Sequence, residues 1–311
     1  MMKVGFRGFF GCFAGLVVLV GILGATVTAD AQQVAITFDD LPAHGPLPPR
    51  VTRIEVAKQV IEALHRAQVP PTYGFVNGSI VELQPDTAAV LNAWRSAGNL
   101  LGNHTWTHMN LNQHSTQEFE QDIGHNEQLL AQHMDSGDWR WLRYPYLAEG
   151  DTPEKRMGVR AWLAQHQYKI AGVTMSFADY EWNEPYARCV QKGDTKAVAW
   201  LETTYLRAAA QNLRYDHLMS KKLYGHDIPY VLLMHIGAFD AHMLPRLLAM
   251  YKRHGIVFVP LQQAEQDPFY KYDMDPRVLP GPDTLEEAMG AKHWPLPKHI
   301  DYSKQLDAVC K

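Results

Sequence analysis

The feature that most constrains this chain is a regular alternation. From residue 32 onward, short apolar or β-branched runs are each followed by a stretch of helical period. "VAITF" (34–38) is apolar almost throughout, which suits a strand covered on both faces. Ala57, Val60, Ile61, Leu64 and Ala67 then recur at helical spacing until "VPP" stops the helix. "TYGFV" (72–76) predicts a second strand, a helix follows over about 86–97, and "NLLGN" (99–103) predicts a third strand. Ser115 and Glu118 make a capping box for a helix with Phe119, Ile123, Leu130 and Met134 on one face. "WRWLR" (139–143), "KIAGVTM" (169–175), "YVLLMH" (230–235) and "IVFVPL" (256–261) predict strands four to seven. Helices are expected from Thr152–Pro153, within 195–222 and over 241–254.

Strand, helix, strand, repeated in this way, implies a parallel sheet. Seven repeats without a break in composition favour a single α/β domain over 32–265, a distorted, seven-stranded (β/α) barrel of mostly parallel strands. An open doubly wound sheet fits the same pattern. Beyond 265 the chain is rich in proline and charge, and 266–311 reads as a C-terminal extension, packed on the barrel or partly loose.

Residues 1–31 stand apart. Lys3 and Arg7 precede the apolar run "FFGCFAGLVVLVGILGATV", and "ADA" at 29–31 offers small residues for cleavage. This predicts a signal peptide and an exported protein, periplasmic or secreted, without stable membrane association once the leader is removed. The rival reading is an uncleaved membrane anchor, because the run approaches the ~20 residues that span a bilayer. Cys189 and Cys310 would remain after cleavage; one disulfide and two separate buried thiols both fit. The net charge of −4, with no long like-charged run, gives no electrostatic basis for a nucleic-acid partner.

The unusual polar residues fall in one register. Asp39 and Asp40 follow strand one, His104 and His108 follow strand three, Arg143 ends strand four, Asp179 follows strand five and His235 ends strand six. All are at carboxyl ends, the face where a parallel barrel assembles its active site. Each has an ordinary alternative: turn-forming aspartates in "DDLP", a surface arginine, a satisfied core histidine. Their joint placement favours chemistry. Two imidazoles and a carboxylate leave one position open for water, the arrangement of a catalytic zinc site. Adjacent aspartates on extended backbone point to different sides, so one can bind metal while the other acts as a base. His235 could protonate a leaving group.

"TFDD" (37–40), "HTWTH" (104–108), "RYPY" (143–146), the Asp–aromatic pair in "ADYEW" (178–182) and "LLMH" (232–235) occur in the order of the polysaccharide deacetylases, carbohydrate esterase family four. The resemblance spans roughly 32–265. It implies a distorted (β/α) barrel and a hydrolase that removes acetyl groups from an N- or O-acetylated glycan with one divalent ion, usually zinc. Asp39 resembles the family's base and Asp40, His104 and His108 its metal ligands, with Thr105 and Thr107 shaping their loop. Arg143 is similar to the arginine orienting the base, and His235 and Asp179 to the general acid and its tuning carboxylate. Pro145, Tyr146 and Trp182 are expected to contact substrate, the Tyr146 N–H stabilising an oxyanion. Two departures stand out: Leu41 replaces the usual glycine, and Glu181–Trp182 follows Asp179–Tyr180, making Glu181 an alternative tuning acid. His44 is either a substrate contact or a loop residue without a role. A hydrolase of small amides, imides or esters, and a glycan-binding module without catalysis, are the competing functions.

Overall fold

A computed structural model describes residues 1, 2, 5, 32–135 and 137–311. The leader expected over 1–31 lies, those three positions apart, outside the described residues. Seven parallel strands form one sheet: β1 (Gln33–Leu41), β2 (Tyr73–Val76), β3 (Leu100–Asn103), β4 (Trp141–Leu142), β5 (Lys169–Ile170), β6 (Tyr230–His235) and β7 (Val257–Phe258). Their order is β5-β4-β3-β2-β1-β6, with β7 beside the start of β1. Helices α1 (Arg53–Arg66), α2 (Gly78–Leu83), α3 (Ala88–Ser96), α4 (Thr116–Met134), α5 (Pro153–Gln165), α6 (Asn183–Lys192), α7 (Thr195–Tyr224) and α8 (Ala238–Arg253) lie along the connections. The expected capping box at Ser115–Glu118 starts α4.

The sheet curls shut at one point. Beyond β5 the chain leaves the ladder and returns at Met175, which bridges Leu232 of β6; the Leu233 N–H donates to the Met175 carbonyl at 3.0 Å. The continuous strand expected over 169–175 is therefore interrupted, and side chains explain why. The Arg143 guanidinium takes the carbonyls of Ala171 (2.8 Å) and Gly172 (3.3 Å), and Glu265 takes the Gly172 N–H (2.8 Å). Backbone groups satisfied this way need no strand neighbour.

Strand parity divides the core into two layers. Val34, Ile36 and Phe38 of β1, with Leu232 and Met234 of β6, pack outward under the helices. Ala35, Tyr73, Phe75, Trp141 and Val231 point inward as an apolar interior, closed below by Leu261 and Tyr270. On the same parity Thr37, Asp39 and His235 also face inward, nearer the carboxyl ends of the strands. Asp39 and His235 are register partners.

Two helices after α8, α9 (Leu261–Ala264) and α10 (Lys271–Met274), belong to this floor. The remaining tail includes α11 (Leu285–Ala291) and α12 (Ser303–Ala308) and is packed on the barrel. Leu285, Met289 and Leu306 enter the outer core. Arg156 of α5 pairs with Asp283 and, at 3.3 Å, with Glu149. Arg188 of α6 donates to the carbonyls of Leu306 and Val309, both at 3.1 Å. Cys189 and Cys310 form a disulfide between positions 121 residues apart. Among the described residues no helix is long and apolar enough to cross a membrane.

Bridging so long a loop restricts the unfolded chain strongly, a contribution of roughly 2–5 kcal/mol. Replacing Cys310 with Ser should lower the thermal unfolding midpoint by several degrees, and adding reductant to the unaltered protein should reproduce the loss. Identical melting curves with and without reductant would exclude a stabilising role for the bridge.

Candidate active site

Two consecutive aspartates on a regular strand would diverge. Here β1 shifts register against β2 between Phe38 and Leu41, and Asp40 takes a left-handed conformation (φ 62°). Asp39 keeps the inward direction of its strand, and Asp40 is turned into the same cleft. This corrects the expectation that the pair would point to different sides. His104 Nε2 lies 3.7 Å from Asp39 Oδ2 and 3.5 Å from Asp40 Oδ1. His108 Nε2 lies 3.4 Å from Asp40 Oδ1.

The loop carrying the histidines is fixed from below by amides. Asn77 donates to the carbonyls of His104 (2.6 Å) and Thr105 (3.2 Å). Asn126 of α4 donates to Val76 (2.6 Å) and to Asn103 Oδ1 (3.0 Å), and Asn103 Oδ1 also accepts the Thr105 N–H. Asp122 accepts the Thr107 N–H and hydroxyl. Thr105 (φ 61°) and His108 (φ 59°) are left-handed, a conformation that costs a β-branched residue most and holds only where surroundings enforce it.

Asp40, His104 and His108 place one donor atom each within 4.8 Å of one another. Their protonation suits a cation. His104 gives its Nδ1–H to the Arg143 carbonyl at 2.7 Å, leaving the Nε2 lone pair facing the cleft. Burial, and the neighbouring His104, push His108 down to about 4 against the pull of Asp40 and Asp39, so its ring is neutral at pH 7. Burial opposes ionisation of Asp40, but the hydrogen bond from His44 and the fields of His104 and His235 hold it well below the usual carboxylate range. Asp40 Oδ1 is nonetheless buried without a hydrogen-bond partner. An orphaned anionic oxygen facing two imidazole lone pairs fits a divalent ion.

Asp39 is held by Arg143, whose Nη1 donates to Oδ1 at 3.0 Å and to Oδ2 at 3.3 Å. Both side chains are buried. Opposite them, His235 gives its Nδ1–H to Asp179 Oδ1 (3.0 Å) and its backbone N–H to Oδ2 (2.6 Å). Burial works against the imidazolium, but Asp179, helped by Asp40 and Asp39, raises His235 to about 10. Asp179 is thus the carboxylate on His235, whereas Glu181 is partly exposed and beside the Tyr180 hydroxyl at 3.5 Å.

The expected substrate contacts divide. Tyr146 is exposed, left-handed (φ 59°), with its ring 4.5 Å from His108. Pro145 is buried at the start of its turn. Trp182 is 1% exposed and packs against Tyr205, Phe239 and Tyr302, so its expected contact with substrate is corrected to a place in the outer core. The half-exposed ring at the cleft is Tyr180 instead, edge-on to His235 at 5.3 Å. The short helical turn Asp179–Trp182 explains the exchange, sending Asp179 and Trp182 inward and Tyr180 outward. His44 also belongs to the site: its Nδ1 lies 2.6 Å from Asp40 Oδ2.

Carboxylates and imidazoles thus converge at the carboxyl ends of the barrel strands. Residues 26–162 match the model of the polysaccharide deacetylases, hydrolases that act on amide or ester bonds of glycans. No curated protein matches at the sequence level. A deacetylase solved with its substrate is 19% identical, with 76% of this chain and 92% of that chain covered and a TM-score of 0.50. A mutant with restored activity of a carbohydrate esterase family 4 pseudoenzyme of Bacillus anthracis is 17% identical, with 75% and 67% covered and a TM-score of 0.53. The peptidoglycan deacetylase PdaC of Bacillus subtilis is 20% identical, with 76% and 91% covered and a TM-score of 0.48. The first two, with TM-scores of 0.50 and 0.53, establish the fold alone, a curled parallel half-barrel of the carbohydrate esterase family 4 type.

Because His235 rests above its ordinary 6.5 in the folded protein, the His235–Asp179 pair stabilises the fold fully below pH about 6.5 and loses that contribution as pH rises through about 10. In metal-free protein the His235 ring should titrate by NMR well above an unperturbed histidine. Asp179→Asn should move it back down. An unmoved titration would show that Asp179 does not control the ring.

Proposed function

We propose that the protein is a metal-dependent hydrolase that removes acetyl groups from an N- or O-acetylated glycan. The observation that carries this reading is the convergence of Asp40 Oδ1, His104 Nε2 and His108 Nε2 beside the arginine-held Asp39. Asp40, His104 and His108 would hold the ion, zinc being the choice of a His, His, carboxylate set. Such a cation supplies Lewis acidity and acidifies bound water.

The chain's own residues divide the proton work. Asp39, oriented by Arg143, takes the proton of the attacking water. His235, charged and held by Asp179, faces the cleft with its Nε2–H and donates to the departing amine or alcohol. The Tyr146 N–H, in the turn beside His108, is the assigned donor to the developing oxyanion. Tyr146 and Tyr180 stand as aromatic walls on which sugar rings can stack.

A neighbour of this fold is a pseudoenzyme, so architecture alone does not make activity. This chain keeps Asp39, Asp40, His104, His108 and His235 together, which supports catalysis over binding alone. Export is part of the reading: the basic and apolar leader supports it, and the Cys189–Cys310 bridge suits an oxidising compartment.

The decisive assay is acetate release from acetylated glycan oligomers, with and without chelator, against small acetyl esters and imides. Release from oligomers that chelator abolishes is expected; turnover of small esters or imides alone would transfer the site to small-molecule hydrolysis. Asp39→Asn should cost kcat about 10²–10⁴-fold while metal content stays near one ion per chain. His104→Ala should lose the ion, and full occupancy in that variant would refute the ligand set.

A further inference from the structure

The proposed chemistry leaves one side chain of the site unused. His44 lies in the segment Leu41–Gly45, where the resemblance leads one to expect a glycine directly after the paired aspartates. The chain turns back at once, the Ala43 N–H donating to the Asp40 carbonyl at 2.8 Å. Arg53, at the start of α1, then grips the returning strand, donating to the carbonyls of His44 (2.8 Å) and Gly45 (2.7 Å). On the other side Gly45 is left-handed (φ 60°) and lies against Asn183, where an added Cβ would meet the Asn183 Cβ at 3.2 Å. Held from both sides, the His44 ring lies 4.7 Å from the His235 ring and directs Nδ1 at Asp40 Oδ2, 2.6 Å away.

A carboxylate accepts only, so His44 is the donor in this contact. The bond commits one oxygen of Asp40 and leaves the other, Oδ1, without a partner and facing His104 and His108. Without that donor the carboxylate could turn about its last torsion and offer either oxygen, or both, to the cleft. We infer that His44 is a positioning residue for Asp40, locking its carboxylate so that a single, predetermined oxygen is presented to the cation. The inference rests on the metal reading above and on no assumption about the glycan. Groups that hydrogen-bond to ligating side chains commonly change metal affinity about 10–100-fold.

There is a rival. Asp40, His44 and His235 also place donor atoms within 4.8 Å of one another, so His44 could itself ligate an ion. Stoichiometry separates the two. Zinc is titrated into the full chain in competition with a chromophoric chelator, for the unaltered protein and for His44→Ala, His44→Gln and Arg53→Ala. Positioning predicts one zinc per chain throughout and a Kd weakened about 10–100-fold by His44→Ala. Affinity should return in large part with His44→Gln, which keeps an N–H donor. Arg53→Ala, which frees the loop without touching Asp40, should fall between. Melting of each metal-free variant with the unaltered protein's profile keeps an affinity loss from being a folding loss.

An unchanged Kd in His44→Ala overturns the inference. So does His44→Gln no better than alanine, and so does a second zinc that disappears with His44. Failure of the unaltered chain to bind zinc removes the inference together with the metal reading. Failure to release acetate from any glycan leaves these titrations, and the inference they test, intact.

Discussion

A guanidinium buried at the centre of a barrel must be fully paired, and that of Arg143 organises what surrounds it. It neutralises Asp39, takes the Thr37 hydroxyl at 3.1 Å and the two carbonyls that follow β5, and lies over the Phe75 ring at 4.7 Å. Losing one partner of such a buried pair typically costs about 3–5 kcal/mol, because the other charge is left uncompensated. The same residue thus has two duties. It replaces a stretch of missing ladder where the barrel closes, and it fixes the carboxylate assigned as the base. Its own backbone carbonyl then sets the tautomer of His104. Closure of the fold and ordering of the site are one set of hydrogen bonds.

Around that centre the backbone is locally strained. Asp40, Thr105, His108, Tyr146, Leu147 and Ala178 all have left-handed φ values, and all lie at strand ends or in loops that border the cleft. Each non-glycine residue held this way costs on the order of 1 kcal/mol or more. The cost is met by specific support: the Asn77, Asn103 and Asn126 amides under the histidine loop, and Arg53 beside the loop after Asp40. Strain at the mouth and dense polar support beneath it are two aspects of a site whose side chains are set before anything binds.

Much of this architecture was legible in the chain because it depends on period and order. Apolar runs such as 34–38 and 230–235 have no reading other than buried strands once helical stretches separate them. The carboxyl ends of those strands then collect Asp39, His104, Arg143 and His235. What could not be read depends on single torsions and on contacts distant in sequence. The direction of Asp40 turns on one left-handed residue. Trp182 looks like a sugar platform in "DYEW", yet a short helical turn places it in the core and leaves Tyr180 outside. The break after β5 comes from Arg143 and Glu265, each more than twenty residues away from the carbonyls and N–H they satisfy. The pairing of Cys189 with Cys310 depends on a tail whose docking no local pattern announces. His44 could be read only as a substrate contact or a loop residue without a role, because the turn that brings it back to Asp40 has no signal in the sequence.

Asp39 is compensated by Arg143 and Asp179 by His235, so two of the three carboxylates carry a full partner within the protein. Asp40 has the His44 ring on one oxygen and no hydrogen-bond donor on the other. A buried carboxylate oxygen without a partner is costly, and proteins ordinarily avoid it by protonation, which the fields of His104 and His235 resist here. In the proposed function the relief is a cation held by Oδ1 and the two imidazoles. Asp39, His44, His104 and His235 are each already committed to another bond, whereas Asp40 Oδ1 is not. Because those bonds exist without the ion, its arrival has little to reorganise. Under the proposed function, the free energy of binding is then available to the electrostatics of the reaction rather than to building the site.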